Sequence, residues 1–282
     1  MPVFTTYDGT RLAYHEEGQG EPLVCLPGGA MRSSAYLGDL GGLSAGRRLI
    51  LLDPRGTGDS EVPADPATYR VDHQVADVEA LRLHLGLERL DLLAHSAGAA
   101  LAQLYAAAHP ERVRRLALIT PTSWAVDLQP TTADKLVAAA RRAGEPPYDK
   151  AVRAYEEILA GVDTDEVWDL AAPLFHGRWD ERARACHVAN AHEQNEAAAA
   201  AYATPGASDP PATRAALREL RARVLVLVGG VDCNPPAAHA PRIAALFPYA
   251  TPAVQPDAGH FPWLDDPARF ARRVEAFLAT GT

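Results

Sequence analysis

The 282-residue sequence predicts an α/β fold: a mostly parallel central sheet flanked by helices, with a helical cap inserted late in the chain. Three observations predict it. Short apolar runs alternate with amphipathic helical stretches, the rhythm of a sheet layered with helices. The runs are continuous rather than alternating, as strands must be when helices cover both faces of a parallel sheet. That rhythm stops after residue 119 and resumes only at residue 224.

The chain opens as a hairpin, with strands at 3–6 and 11–16 around the turn Asp8-Gly9. Buried strands follow at 23–26, 49–52, 90–94, 116–119 and 224–228. Helical patterns occupy 72–85, 97–109 and 236–247. The last helix is marked by Asp266 as N-cap, Pro267 at its first position, and an apolar stripe of Phe270, Val274 and Phe277. Between 122 and 213 only Ala- and Glu-rich helical stretches appear, at 132–143, 149–159, 165–171 and 180–202. The expected organisation is therefore a core of 1–121 and 214–282 interrupted by a cap of 122–213. The alanine run at 197–201 reads as helix, because alanine is the best helix former.

With 48% hydrophobic residues the chain can bury a sizeable core. Its net charge of -9 argues against nucleic acid and anionic membranes, which attract basic faces. No apolar run approaches the roughly 20 residues that span a bilayer. The first residues carry neither a basic region nor an apolar core of the secretory kind, so a cytoplasmic location is expected. Cys25, Cys186 and Cys233 fall into no paired or metal-ligand spacing, which suits a reducing compartment. The expected partner is a small-molecule or short peptide substrate; nothing in the sequence specifies an oligomeric state.

The chemistry concentrates at three loops. Ala94-His95-Ser96-Ala97-Gly98 lies where a strand meets a helix. A serine exposed on so sharp a turn needs small residues two places before and two after, because backbones crowd there. Ala94 and Gly98 meet that need; the plainer reading is a turn in which Ser96 merely caps the helix. A serine hydroxyl is a poor nucleophile until a base takes its proton and an acid orients that base. The expected chain order is serine, acid, histidine. Asp232 follows the strand at 224–228, and His260 precedes the final helix. The strand before the cap ends in Thr120-Pro121 and offers no carboxylate until Asp127, so Asp232 has no good rival.

A tetrahedral intermediate needs two donors aimed at its oxyanion. The backbone N–H of Ala97 is one. Gly29, in Pro27-Gly28-Gly29-Ala30, is the expected second, since glycine lets a backbone approach a ligand closely. His95 adjoins Ser96, but neighbours on a tight turn point apart, so it is expected to line or support the site rather than act as base. His73, His84 and His109 read as surface or boundary residues, and His176, His187 and His192 belong to the cap. None has the spacing of a zinc helix motif, and neither metal nor cofactor is expected. Cys233, next to Asp232, is either at the site's edge and slowly reactive with thiol reagents, or a small buried residue.

These residues resemble those of the α/β-hydrolase superfamily, and within it the proline-iminopeptidase-like branch of cap-bearing serine hydrolases. The matching segments are LPGGAMRSSAYLGDL, LLDPRGTGDS, DLLAHSAGAALAQLYAAAHPERVRRLALITP, VLVLVGGVDCNPP and AGHFPWLDDP. The resemblance implies that Asp53, Arg55 and Gly58 chiefly hold a loop in place. Pro27 departs from the pattern, standing where the family usually has a loop-bracing histidine. Related iminopeptidases bind a free amine with cap carboxylates, and the resemblance makes Glu193 and Glu196 candidates for substrate binding. Exposed glutamates on an Ala-rich helix more commonly form a solvated face.

The expected function is hydrolysis of a small amide, peptide or ester through an acyl-Ser96 intermediate, with amides and peptides ranked ahead of carboxylic esters. The alternative keeps the pocket and changes the chemistry to a lyase, cyclase or acyl-transfer step, since fold alone does not settle function. A binding module with a vestigial site is a third reading.

Overall fold

The computed structural model describes residues 1–144 and 146–279. The strands are β1 (Val3–Thr5), β2 (Arg11–Glu17), β3 (Glu21–Leu26), β4 (Arg47–Leu52), β5 (Leu90–His95), β6 (Val113–Ile119), β7 (Arg223–Gly229) and β8 (Ala250–Gln255). They form one 8-stranded sheet in the order β1-β2-β4-β3-β5-β6-β7-β8. The β1–β2 and β2–β4 pairs are antiparallel, and the rest are parallel. The helices of the first half are α1 (Val71–His84) and α2 (Gly98–Ala108). Between β6 and β7 lie α3 (Thr132–Ala140), α4 (Tyr148–Leu159), α5 (Asp165–Ala171), α6 (Glu181–Glu193), α7 (Glu196–Tyr202) and α8 (Pro210–Leu217). The chain closes with α9 (Ala240–Ala244), α10 (Pro262–Asp265) and α11 (Pro267–Leu278).

The continuous apolar runs have a direct structural counterpart. Successive residues of a strand point to opposite faces. Accordingly Leu92, Leu116 and Val226 pack with Leu81, Leu101 and Leu217 in one layer. Their neighbours Leu93, Ala117 and Leu225 pack with Phe270 and Val274 in the other. Both faces are dry, and each fully buried leucine is worth about 1.5–3 kcal/mol. The inserted helices carry their own small core, including Ala151, Tyr155 and Leu174. Among the described residues, no helix is long and apolar enough to cross a membrane.

Five features differ from expectation. The strand β8 was not anticipated: its segment ATPAVQ is largely exposed and contains Pro252, so it lacks an inner strand's apolar run. An edge strand tolerates such a proline. The helix expected over 236–247 is only α9, because Pro241 fits a helix solely in its first turn. The helix expected over 180–202 is broken at Gln194 and Asn195, and Asn195 starts α7 by accepting the Ala198 N–H. The boundary expected at 213 falls inside α8, which packs on α2. In α11 the apolar stripe buries Phe270, Val274 and Leu278, leaving Phe277 half-buried.

Candidate active site

Ser96 sits between β5 and α2 with a φ of 49°, in the left-handed region that non-glycine residues seldom adopt. The surrounding crowding accounts for the small residues. A side chain on Gly98 would run into the carbonyl oxygens of Leu26 and Pro27. One on Gly28 would lie 2.7 Å from Ser96 Cβ. The strained turn is held by its own backbone bonds: Ser96 N–H donates to Ile119 O at 3.0 Å, and Ser96 O accepts from Thr122 N–H at 3.1 Å.

The structure brings Ser96, His260 and Asp232 into one hydrogen-bonded line. His260 Nε2 lies 2.9 Å from Ser96 Oγ, and His260 Nδ1 lies 2.9 Å from Asp232 Oδ2. Asp232 is 1% exposed, so its carboxylate is shielded from solvent. Its other oxygen accepts from Asn234 N–H at 2.8 Å. A carboxylate only accepts, so Nδ1 carries the proton and Nε2 is left to accept from Ser96. The His260 backbone is held on both sides: its N–H donates to Phe175 O at 2.8 Å, and its carbonyl accepts from Thr120 Oγ1 at 2.9 Å.

The loop after β3 faces this line. Gly29, Ala30 and Met31 have φ values of 65°, 31° and 61°, a left-handed run in which only one residue is glycine. Neither the Gly29 nor the Ala97 N–H finds an acceptor among the described residues. His95 has its ring nitrogens engaged away from Ser96 Oγ. Its Nδ1 is 2.7 Å from Tyr36 Oη, and its Nε2 is 2.9 Å from His260 O. Burial, reinforced by His260 nearby, holds the His95 imidazole neutral.

Neither cap glutamate is hydrogen-bonded to Ser96 or His260 among the described residues. Glu193 receives Arg32 Nε at 2.7 Å, and the Arg32 side chain is only 4% exposed. Glu196 is exposed in the first turn of α7. The joint between α6 and α7 instead clips the cap to the loop after β3. Gln194 Nε2 donates to the Gly29 carbonyl and to Ala30 O. Asn195 N–H donates to Met31 O at 2.9 Å, and Asn195 Nδ2 to Gly56 O at 2.8 Å. Sequence reasoning missed the roles of Arg32, Tyr36, Gln194 and Phe175: each has a partner far along the chain, and although Arg32 and Tyr36 fall within LPGGAMRSSAYLGDL, that segment alone does not show what they reach.

Two further expectations are settled by burial. Cys233 has no exposed edge: it packs fully buried among cap residues, and burial pushes its thiol well up, away from the reactive thiolate. His176 is also buried, stacks on Phe261 with ring centroids 4.9 Å apart, and falls to about 3 through burial and then His260. Among the described residues, His15, Asp53 and Asp59 place three possible metal-ligand atoms within 4.8 Å of one another. Asp53, however, already accepts from Ser34 N–H at 2.8 Å and from Asp59 N–H at 3.0 Å.

The family model for the alpha/beta hydrolase fold matches residues 21–267. A 2-hydroxymuconate semialdehyde hydrolase of Pseudomonas putida is 30% identical over 279 residues, covering 96% of this chain and 92% of that relative. A proline iminopeptidase of Lactobacillus helveticus is 40% identical over 127 residues; the chain spans only 43% of its length. An esterase from Exiguobacterium antarcticum superposes with a TM-score of 0.73 at 19% identity, covering 99% of both chains, and shares the fold. The chain belongs to the alpha/beta hydrolase fold family.

Proposed function

We propose that the protein is a serine hydrolase that cleaves a small ester or amide through an acyl-Ser96 intermediate. The line from Ser96 through His260 to Asp232 carries this reading. Ser96 Oγ attacks the substrate carbonyl as its proton passes to His260 Nε2. Asp232 holds the imidazole in the required tautomer and stabilises the cation that forms. The N–H groups of Gly29 and Ala97, which have no other acceptor among the described residues, donate to the oxyanion. His260 then protonates the leaving group and next deprotonates the water that hydrolyses the acyl-enzyme. No cofactor enters these steps. Phe175 of the cap, whose ring centroid lies 6.3 Å from that of His260, supports a small substrate enclosed away from water.

The Arg32–Glu193 pair moves the ranking from free-amine substrates toward esters and amides without a required amine. A substrate like that named for the Pseudomonas putida relative is a second reading, favoured by the similarity along nearly the whole chain. The free thiols Cys25, Cys186 and Cys233 suit a cytoplasmic location.

The test is a panel of aryl esters, aminoacyl anilides, Pro-anilides and 2-hydroxymuconate semialdehyde, run on wild type and Ser96→Ala, with fluorophosphonate labelling alongside. Aryl ester turnover, an adduct on Ser96 and a loss on the order of 10⁶ in kcat for the variant are expected. Turnover retained by Ser96→Ala sinks the acyl-enzyme reading and favours the lyase, cyclase or acyl-transfer alternative.

A further inference from the structure

The loop after β3 must hold one backbone N–H steady opposite Ser96, yet its first residue cannot help. Pro27 has no N–H and no polar side chain. The next donor, Gly28 N–H, goes to Tyr36 Oη at 2.6 Å. Tyr36 Oη in turn lies 2.7 Å from His95 Nδ1, and His95 Nε2 lies 2.9 Å from the His260 carbonyl. We propose that Tyr36 and His95 form a brace tying the Gly28–Gly29 backbone to the His260 loop, and that Tyr36 is a positioning residue for the oxyanion site. This rests on the acyl-Ser96 reading above.

The protons can be assigned along the whole brace. The His260 carbonyl only accepts, so the neutral His95 ring carries its proton on Nε2. Its Nδ1 is then an acceptor, and Tyr36 Oη–H donates to it. The Tyr36 oxygen keeps a lone pair for Gly28 N–H. Each group therefore has one arrangement that satisfies it, and the brace reads in one direction from Gly28 to His260.

The rings are fixed as well as the bonds. The Arg32 guanidinium lies 4.0 Å over the Tyr36 ring, and the Trp263 ring meets His95 edge-on with centroids 4.8 Å apart. The loop has no slack against the elbow, since a Cβ on Gly28 would lie 2.7 Å from Ser96 Cβ and 3.0 Å from His95 Nδ1. Gly28 O accepts from Arg32 N–H at 3.4 Å, and the Gly29 carbonyl accepts from Gln194. The groups on either side of the Gly29 N–H are thus engaged, while that N–H has no acceptor among the described residues.

Removing the Tyr36 hydroxyl leaves Gly28 N–H and His95 Nδ1 without that partner in a largely buried site, so the loop shifts to find others. An oxyanion donor acts only within about 2.7–3.1 Å of the developing charge. Outright loss of such a donor costs about 10²–10³ in kcat, so a displaced one should cost about 10- to 100-fold.

The experiment compares Tyr36→Phe, His95→Gln and the double variant, using p-nitrophenyl acetate as substrate and an aryl trifluoromethyl ketone as a tetrahedral-adduct inhibitor. Active sites are titrated so that rates refer to folded enzyme. In Tyr36→Phe, kcat should fall about 10- to 100-fold with KM nearly unchanged, and ketone affinity should fall in parallel. The double variant should be no worse than the poorer single one, because both break the same brace. Wild-type kcat and ketone affinity per titrated site in Tyr36→Phe overturn the proposal, as does strict additivity of the two losses. Should Tyr36→Phe not fold, His95→Gln carries the same measurements. Ser96→Ala separates the two levels: its retained turnover overturns the acyl-enzyme reading, whereas its inactivity beside a fully active Tyr36→Phe overturns the brace alone.

Discussion

Asp232 illustrates how much rests on single atoms. Its Oδ2 accepts from His260 Nδ1–H while its other oxygen is occupied by Asn234 N–H. An asparagine there keeps the shape but admits a donor where only an acceptor serves. In Asp232→Asn, kcat should fall about 10⁴-fold, with stability near wild type, checked by steady-state kinetics beside a thermal melt. Cys233 gives the opposite lesson, because adjacency in sequence to a site residue says nothing about access. It lies fully buried with its thiol protonated. Ellman's reagent should leave Cys233 unmodified in the native protein and modify it only after unfolding, as read by peptide mapping.

At the scale of elements, two joints govern the site. The first is the β5–α2 turn, where Gly98 faces backbone oxygens that cannot move aside. Gly98→Ala should cost at least about 1–3 kcal/mol in urea denaturation, together with most of the activity. The second is the α6–α7 break. Asn195→Ala removes the cap bond to Ala198 N–H and the tie to Gly56 O, and should cost about 1 kcal/mol by the same measurement. The turn was legible in the sequence because its causes are local: a strand, a helix, and small residues at fixed offsets. The break was not. Its partners Gly29, Met31 and Gly56 are remote in sequence, so a window on 180–202 shows only good helix formers.

Across the whole molecule, Arg55 joins the hairpin turn to α1. Fully buried, it lies 2.5 Å from both Asp8 and Asp77. Arg55→Met should cost about 3–5 kcal/mol, because it strands a buried carboxylate. Burial alone would raise the Asp8 carboxyl, but hydrogen bonds from Arg55, Thr6 and Thr10 outweigh it and hold Asp8 well below its ordinary 3.8. A depressed carboxyl stabilises the fold fully above that value and loses its contribution as pH falls below it. Urea denaturation at a series of pH values should therefore show a shallower acid-side decline for Asp8→Asn below about pH 4. By itself, the sequence determined the layered α/β sheet, the inserted helices, and the meeting of Ser96, Asp232 and His260. Apolar runs, capping residues and chain order are local or ordinal signals, and a sheet converts them directly into position. Only the tertiary structure decided that Glu193 pairs with Arg32, that Cys233 is sealed, and that Tyr36 and His95 grip the loop beside Pro27. Those outcomes depend on which side chains from distant segments reach one another once the core has packed, and no spacing along the chain encodes that.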